Sequence, residues 1–105
     1  MGLLDLFGFG SKRKAALRAA VKGGATIIDV REPSEYARGH CPGSINVPLG
    51  TVESQVEEIS KKDQPLVTCC RSGMRSAQAK GILEAAGLEV HNGGSWQNVR
   101  SILES

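Results

Sequence analysis

The chain has 105 residues and a net charge of +2, with 40% hydrophobic and 23% charged residues. That is enough for one globular domain with a modest core and no staples. The near-neutral charge, with only four aromatic residues in the chain, argues against a nucleic-acid face and against a base-stacking platform.

Residues 1–10, MGLLDLFGFG, read as an apolar tail ahead of a single domain over 11–105. The order, apolar then basic, is the reverse of a secretory signal, and no run is long enough to span a membrane. Leu6 stands where a myristoylation signal needs Ser or Thr. A surface anchor through Leu3, Leu4, Phe7 and Phe9, beside Lys12, Arg13 and Lys14, is the sharper alternative. Packing on the body is favoured, so membrane contact by residues 1–10 is not expected.

From Ser11 the pattern predicts a helix with Leu17, Ala20 and Val21 on one face, ended by Gly23 and Gly24. TIIDV (26–30) is a buried strand. REPSEYARG predicts a short helix with Pro33 in its first turn and Gly39 as its stop. GSINVPL is a second strand. TVESQVEEISKK places Val52, Val56 and Ile59 on one helical stripe. PLVTC is a third strand, and SAQAKGILEAAG a helix with Ala79, Ile82, Leu83 and Ala86 inward. LEVHN is a fourth strand. In SWQNVRSILES, Ser95 caps a last helix whose apolar face is Trp96, Val99 and Leu103. Alternating strands and helices predict an α/β domain, a mostly parallel sheet with helices on both faces.

Ligands in such sheets bind at the carboxyl ends of the strands. Cys70 lies there, between the third strand and a helix. The three cysteines, Cys41, Cys69 and Cys70, are odd in number and make a poor disulfide framework; they suit a reducing, cytoplasmic setting. The usual Cys-x-x-Cys metal spacing is missing, so no metal is expected. A loop closing on a helix N-terminus turns backbone N–H groups inward, toward an anion. Arg71 and Arg75 add permanent charges, and Gly73 permits the tight turn. A thiol there loses its proton more easily and becomes a nucleophile. The expected substrate is an anion attacked by sulfur: a sulfane-sulfur donor, a phosphate ester or arsenate. Four residues separate Cys70 from Arg75, one fewer than in tyrosine-phosphatase-type loops, so the cradle fits a sulfur better than a phosphoryl group. The bland alternative, a buried inert cysteine, is disfavoured by the arginines and the strand-end position.

With these motifs in register, the chain resembles the rhodanese family. IIDVREPSEYARGHCPGSINVPL (27–49) is similar to its first signature, CRSGMRS (70–76) to its active-site loop, and VHNGG (90–94) to its later Gly-Gly signature. The likeness spans about Gly24 to Val99. It implies a three-layer rhodanese-like fold with four or five strands, and sulfur transfer without a cofactor. By that likeness Cys70 carries a persulfide, and Arg71, Ser72, Gly73, Met74 and Arg75 bind the substrate, the two arginines on its oxyanion. The implied donor is a small sulfur-containing anion such as thiosulfate, or a persulfide; the acceptor is a thiol, cyanide or a protein. Departures are a helix where the family often has an extra first strand, Trp96 close to the Gly-Gly pair, and cysteines at 41 and 69.

Asp29, Arg31 and His40 are read as supporting residues. A loop-fixing network of Asp29 and Arg31 with Glu35 or His40 is favoured over substrate contact, and His40 fixes a loop rather than acting as base. Asn46 holds loop backbone. Strand alternation points Cys69 away from Cys70. Cys41 as a thiol resolving an oxidised Cys70 is a minor alternative that needs bridging distance. Two other functions stay open beside the sulfurtransferase: a non-catalytic sulfur or redox carrier docking a protein, and, less favoured, a phosphatase or arsenate reductase.

Overall fold

The computed structural model describes the backbone of residues 2–105 and the side chains of residues 10–105. The expectations for Leu3, Leu4, Phe7 and Phe9, and with them the packing of the tail, concern side chains outside the described residues. Helix α1 is Gly2–Lys22, followed by β1 (Thr26–Asp29), α2 (Pro33–Ala37), β2 (Ile45–Asn46), α3 (Leu49–Val52), a 3-10 turn (Glu53–Gln55) and α4 (Val56–Ser60). Then come β3 (Leu66–Cys70), α5 (Met74–Ala85), β4 (Val90–Ser95) and α6 (Trp96–Glu104).

The strands form one four-stranded sheet in the order β2-β1-β3-β4, parallel throughout. A parallel sheet needs cover on both faces, and two clusters supply it. On one face Ile28, Val30, Leu66, Cys70 and Val90 pack with Val52, Ile59, Ala79 and Leu83 from α3, α4 and α5. On the other, Ile27, Val67, Cys69 and Cys41 pack with Ala20 and Val21 of α1 and Val99 of α6, edged by Leu17, Trp96 and Leu103. The predicted faces of α1 and α6 are therefore the buried ones. Lys22 also donates to the backbone carbonyl of Ser105, tying α1 to the end of α6.

Local chemistry accounts for the helix starts. Pro33 occupies the first turn of α2, and the Glu35 carboxylate accepts from the Glu32 N–H at 3.0 Å, which satisfies a donor the helix would leave free. Ser95 Oγ accepts from the Asn98 N–H at 3.1 Å, the cap expected for α6. Within α5, Leu83 is fully buried while Gly81 is exposed. Burying the leucine contributes about 1.5–3 kcal/mol, more than the ~1 kcal/mol a helical glycine costs.

Several details differ from the sequence reading, the largest being α1, which begins at Gly2 and not at Ser11. The second strand is only Ile45–Asn46, because Pro48 cannot donate to a ladder. The expected helix after it is broken by the 3-10 turn, although Val52, Val56 and Ile59 still face the core. Ala86 is not inward: it is the exposed C-cap of α5. Strand β4 runs on to Ser95, since an irregularity between Thr68 and Cys70 lets Cys70 pair with Ser95.

Candidate active site

Cys70 ends β3, and Gly73 turns the chain into α5 with φ at 102°. A Cβ on Gly73 would also stand 3.3 Å from the Gly94 Cα, so only glycine lets the loop lie this close to β4. The Gly73 N–H donates to Cys70 Sγ at 3.0 Å, and Ser76 Oγ lies 3.4 Å from the sulfur. The Ser76 hydroxyl reaches Asn92 Oδ1 at 2.7 Å, and Asn92 Nδ2 donates to the Gly73 carbonyl at 3.1 Å. Asn92 Oδ1 also accepts from the Gly94 N–H at 2.9 Å, and Thr68 Oγ1 donates to the Ser76 carbonyl at 3.0 Å. The loop is therefore laced to β4 through Asn92 and to β3 through Thr68.

Burial, the largest single effect on the Cys70 thiol, raises its pKa, but the Ser76 hydroxyl and the N–H groups of Ser76, Gly73 and Ser72 together outweigh it. The thiol ends below its ordinary value, which favours the thiolate. Its neighbour behaves oppositely. Burial, reinforced by the Asp29 charge, pushes the Cys69 thiol far up. Cys41 is also raised by burial. Alternation sends Cys69 to the α1–α6 face and Cys70 to the α3–α5 face. Cys41 packs beside Cys69, so the sheet stands between it and Cys70, and the resolving alternative loses the proximity it needs.

The two arginines of the loop differ. Arg71 is exposed and makes no ion pair among the described residues. Arg75 Nη1 and Nη2 donate to Glu35 Oε1 and Oε2 at 2.7 and 3.1 Å. The Arg75 guanidinium, helped by the Glu32 N–H, holds the Glu35 carboxyl down at about 2. Ser72 and Met74 are exposed, Met74 at 74%.

Asp29 and Arg31 form a buried pair at 2.8 Å, and Arg31 also donates to the carbonyls of Glu35 and Gly39. This joins the end of β1 to the middle of α2 and to the turn that follows it. His40 stacks on Tyr36 at 3.8 Å between ring centroids, with Nδ1 2.8 Å from the Tyr36 carbonyl. Asn46 Nδ2 donates to the carbonyls of Asp29 and Arg31. All four side chains make hydrogen-bond contacts with backbone atoms of this region. Arg31 and Arg100 lie against Trp96, 5.0 and 4.9 Å from its ring centroid.

Ser76 and Asn92 escape sequence reasoning as site residues, although both lie inside motifs that carry the resemblance. A polar residue one turn into the helix after a cysteine, and a polar residue before a Gly-Gly pair, are the only signals, and neither names its partner.

Residues 13–101 match the model of the rhodanese-like domain. The thiosulfate sulfurtransferase PspE of Escherichia coli is 35% identical over 74 residues, 69% of this chain and 71% of that protein. The Bacillus subtilis protein YrkF, whose name describes a sulfur carrier, is 38% identical over 63 residues, 60% of this chain and 34% of its own. Among solved structures, a rhodanese with anions from E. coli superposes with a TM-score of 0.64 at 34% identity, covering 71% of this chain and 91% of that one. The chain spans about a third to a half of the length of three of the curated relatives it matches, YrkF included: 34%, 54% and 35%. The chain belongs to the rhodanese-like domain family, and its relatives support sulfurtransferase-type activity at the level of that family.

Proposed function

We propose that the protein is a sulfurtransferase in which Cys70 carries the moving sulfur as a persulfide. The observation that carries this reading is the Cys70 sulfur itself, held by the Gly73 N–H and the Ser76 hydroxyl and lowered in pKa against its own burial. The Cys70 thiolate attacks the outer sulfur of thiosulfate or of a persulfide donor. The donor's S–S bond breaks, and its electron pair leaves with sulfite or with a thiolate. The new terminal sulfur carries the negative charge that the loop N–H groups stabilise. A thiolate or cyanide then attacks that sulfur and returns Cys70 as thiolate, with no cofactor.

In this reading Cys70 is the catalytic residue. Arg71, Ser72, Gly73, Met74 and Arg75 line the donor site, while Asp29, Arg31 and His40 support the loops around it. Cys70 has no exposed surface, so a donor enters by displacing part of the exposed rim at Arg71, Ser72 and Met74. The short loop disfavours phosphoester hydrolysis.

Sulfur carriage to a docked protein is a second reading, favoured by the likeness to YrkF. Intact mass after brief incubation of the reduced protein with thiosulfate tests both. A gain of one sulfur, removed by cyanide and absent in Cys70→Ala, is the expected result. Folded protein with free Cys70 and no adduct would sink thiosulfate chemistry. Slow thiosulfate turnover with fast exchange to a protein persulfide would instead favour carriage.

A further inference from the structure

The rim of the Cys70 loop carries less positive charge than its two arginines suggest. Both arms of the Arg75 fork are taken by the Glu35 carboxylate, a bidentate arrangement that holds geometry as well as charge. Asp29 and Arg31 cancel each other in the same way. Arg71, exposed and outside any ion pair among the described residues, is the loop cation left uncompensated. Glu35 also sits on α2, a separate element from the loop, so its charge can be removed without touching the residues around the sulfur.

We propose that Glu35 is a specificity-determining residue of the sulfur-donor site, neutralising Arg75 so that the rim disfavours doubly charged thiosulfate relative to donors of single charge, such as thiosulfonates. This rests on the reading of Cys70 as the sulfur acceptor. Thiosulfate and a thiosulfonate both offer an outer sulfur. In each case the Cys70 thiolate bonds to that sulfur, the S–S bond breaks, and the electron pair leaves on sulfite or on a sulfinate. The two donors differ by one unit of charge, and the Arg75 guanidinium lies close enough to Cys70 for their charges to interact. For a carboxylate on the order of 8 Å from the donor and an effective dielectric of about 40, removing its charge changes their relative use by roughly 3- to 10-fold.

The test measures kcat/KM for thiosulfate and for methanethiosulfonate, with cyanide as acceptor and thiocyanate as readout, at low ionic strength where such charges are least screened. The proteins are wild type, Glu35→Gln, Arg75→Gln and the double variant, each checked for cooperative melting. The ratio of thiosulfate to thiosulfonate use should rise about 3- to 10-fold in Glu35→Gln and fall by a similar factor in Arg75→Gln. It should return near the wild-type ratio in the double variant, whose net charge equals that of the wild type. A purely structural pair would slow both donors alike, and an unchanged ratio across the folded variants would overturn the inference. If one single variant fails to fold, the other single and the double still decide the ratio. Wild-type protein that makes no thiocyanate from either donor would overturn this inference, whereas loss of the Cys70 reading itself would show as protein that gains no sulfur on Cys70 from a persulfide donor either.

Discussion

Replacing Ser76 by alanine probes how the Cys70 thiolate is stabilised. The serine is fully buried, with its hydroxyl 3.4 Å from Cys70 Sγ and 2.7 Å from Asn92 Oδ1. A hydroxyl has one proton to give. While Cys70 is a thiol, that proton satisfies Asn92, and the thiol can point at the serine oxygen. Once Cys70 ionises, the hydroxyl turns to the sulfur, and Asn92 Oδ1 keeps the Gly94 N–H at 2.9 Å. The exchange gains a hydrogen bond to a charge, about 1.5–3 kcal/mol, and gives up a neutral one, about 0.5–1.5 kcal/mol. The net, about 1–1.5 kcal/mol in favour of the thiolate, corresponds to a roughly five- to tenfold larger thiolate fraction below the thiol's titration. Ser76→Ala should therefore alkylate with iodoacetamide about five to ten times more slowly at neutral pH, with its pH profile displaced upward. Cys41 and Cys69 are buried and raised in pKa, so mass assignment of the adduct should find it on Cys70. An alkylation profile identical to wild type would show that the backbone N–H groups alone hold the thiolate, and would refute the exchange.

Three further outcomes follow from the packing and the charges. Asp29→Asn leaves Arg31 buried without its carboxylate, and should cost about 3–5 kcal/mol in urea unfolding; a loss under about 1 kcal/mol would mean that water reaches the site. The glycines separate cleanly: a Cβ at Gly93 would lie 2.5 Å from Val99 Cγ2 and 2.9 Å from Val67 Cγ1, whereas Gly81 has nothing within 4 Å. Gly93→Ala should then lose about 1–3 kcal/mol, while Gly81→Ala, at an exposed position of α5, gains about 0.5–1 kcal/mol, both read from melting curves. Finally, Glu35 is held down at about 2 by Arg75, below its unfolded value of about 4.3. Its stabilising contribution is complete above that unfolded value and is lost as the pH falls through about 2. The melting-temperature gap between wild type and Glu35→Gln should thus be open at pH 6 and nearly closed at pH 2. A gap that stays constant with pH would show that the carboxylate's charge is not what stabilises the fold.

Much of this molecule is legible in the order of its residues because the relevant physics is local. Period-two and helical spacing placed Cys69 opposite Cys70, and Leu17, Ala20 and Val21 on one stripe. A strand ending just before Cys70, followed by a glycine and a helix, is enough to predict an anion nest, since strand end, turn and helix N-terminus are consecutive in the chain. Ser95 as a cap and Pro33 in a first turn are equally local. Sequence spacing could not decide which partner each polar group would take. Glu35 meets Arg75 across 40 residues and Asn92 meets Ser76 across 16, pairings set by the strand order β2-β1-β3-β4. That order brings the ends of β1, β3 and β4 to one edge. The same folding put Cys41 beside Cys69 rather than Cys70, because a parallel sheet separates its two faces wherever the chain between them runs. Local pattern determined which residues could react; only the tertiary arrangement decided which charges and hydrogen bonds surround the sulfur, because those act through distance in space and not along the chain.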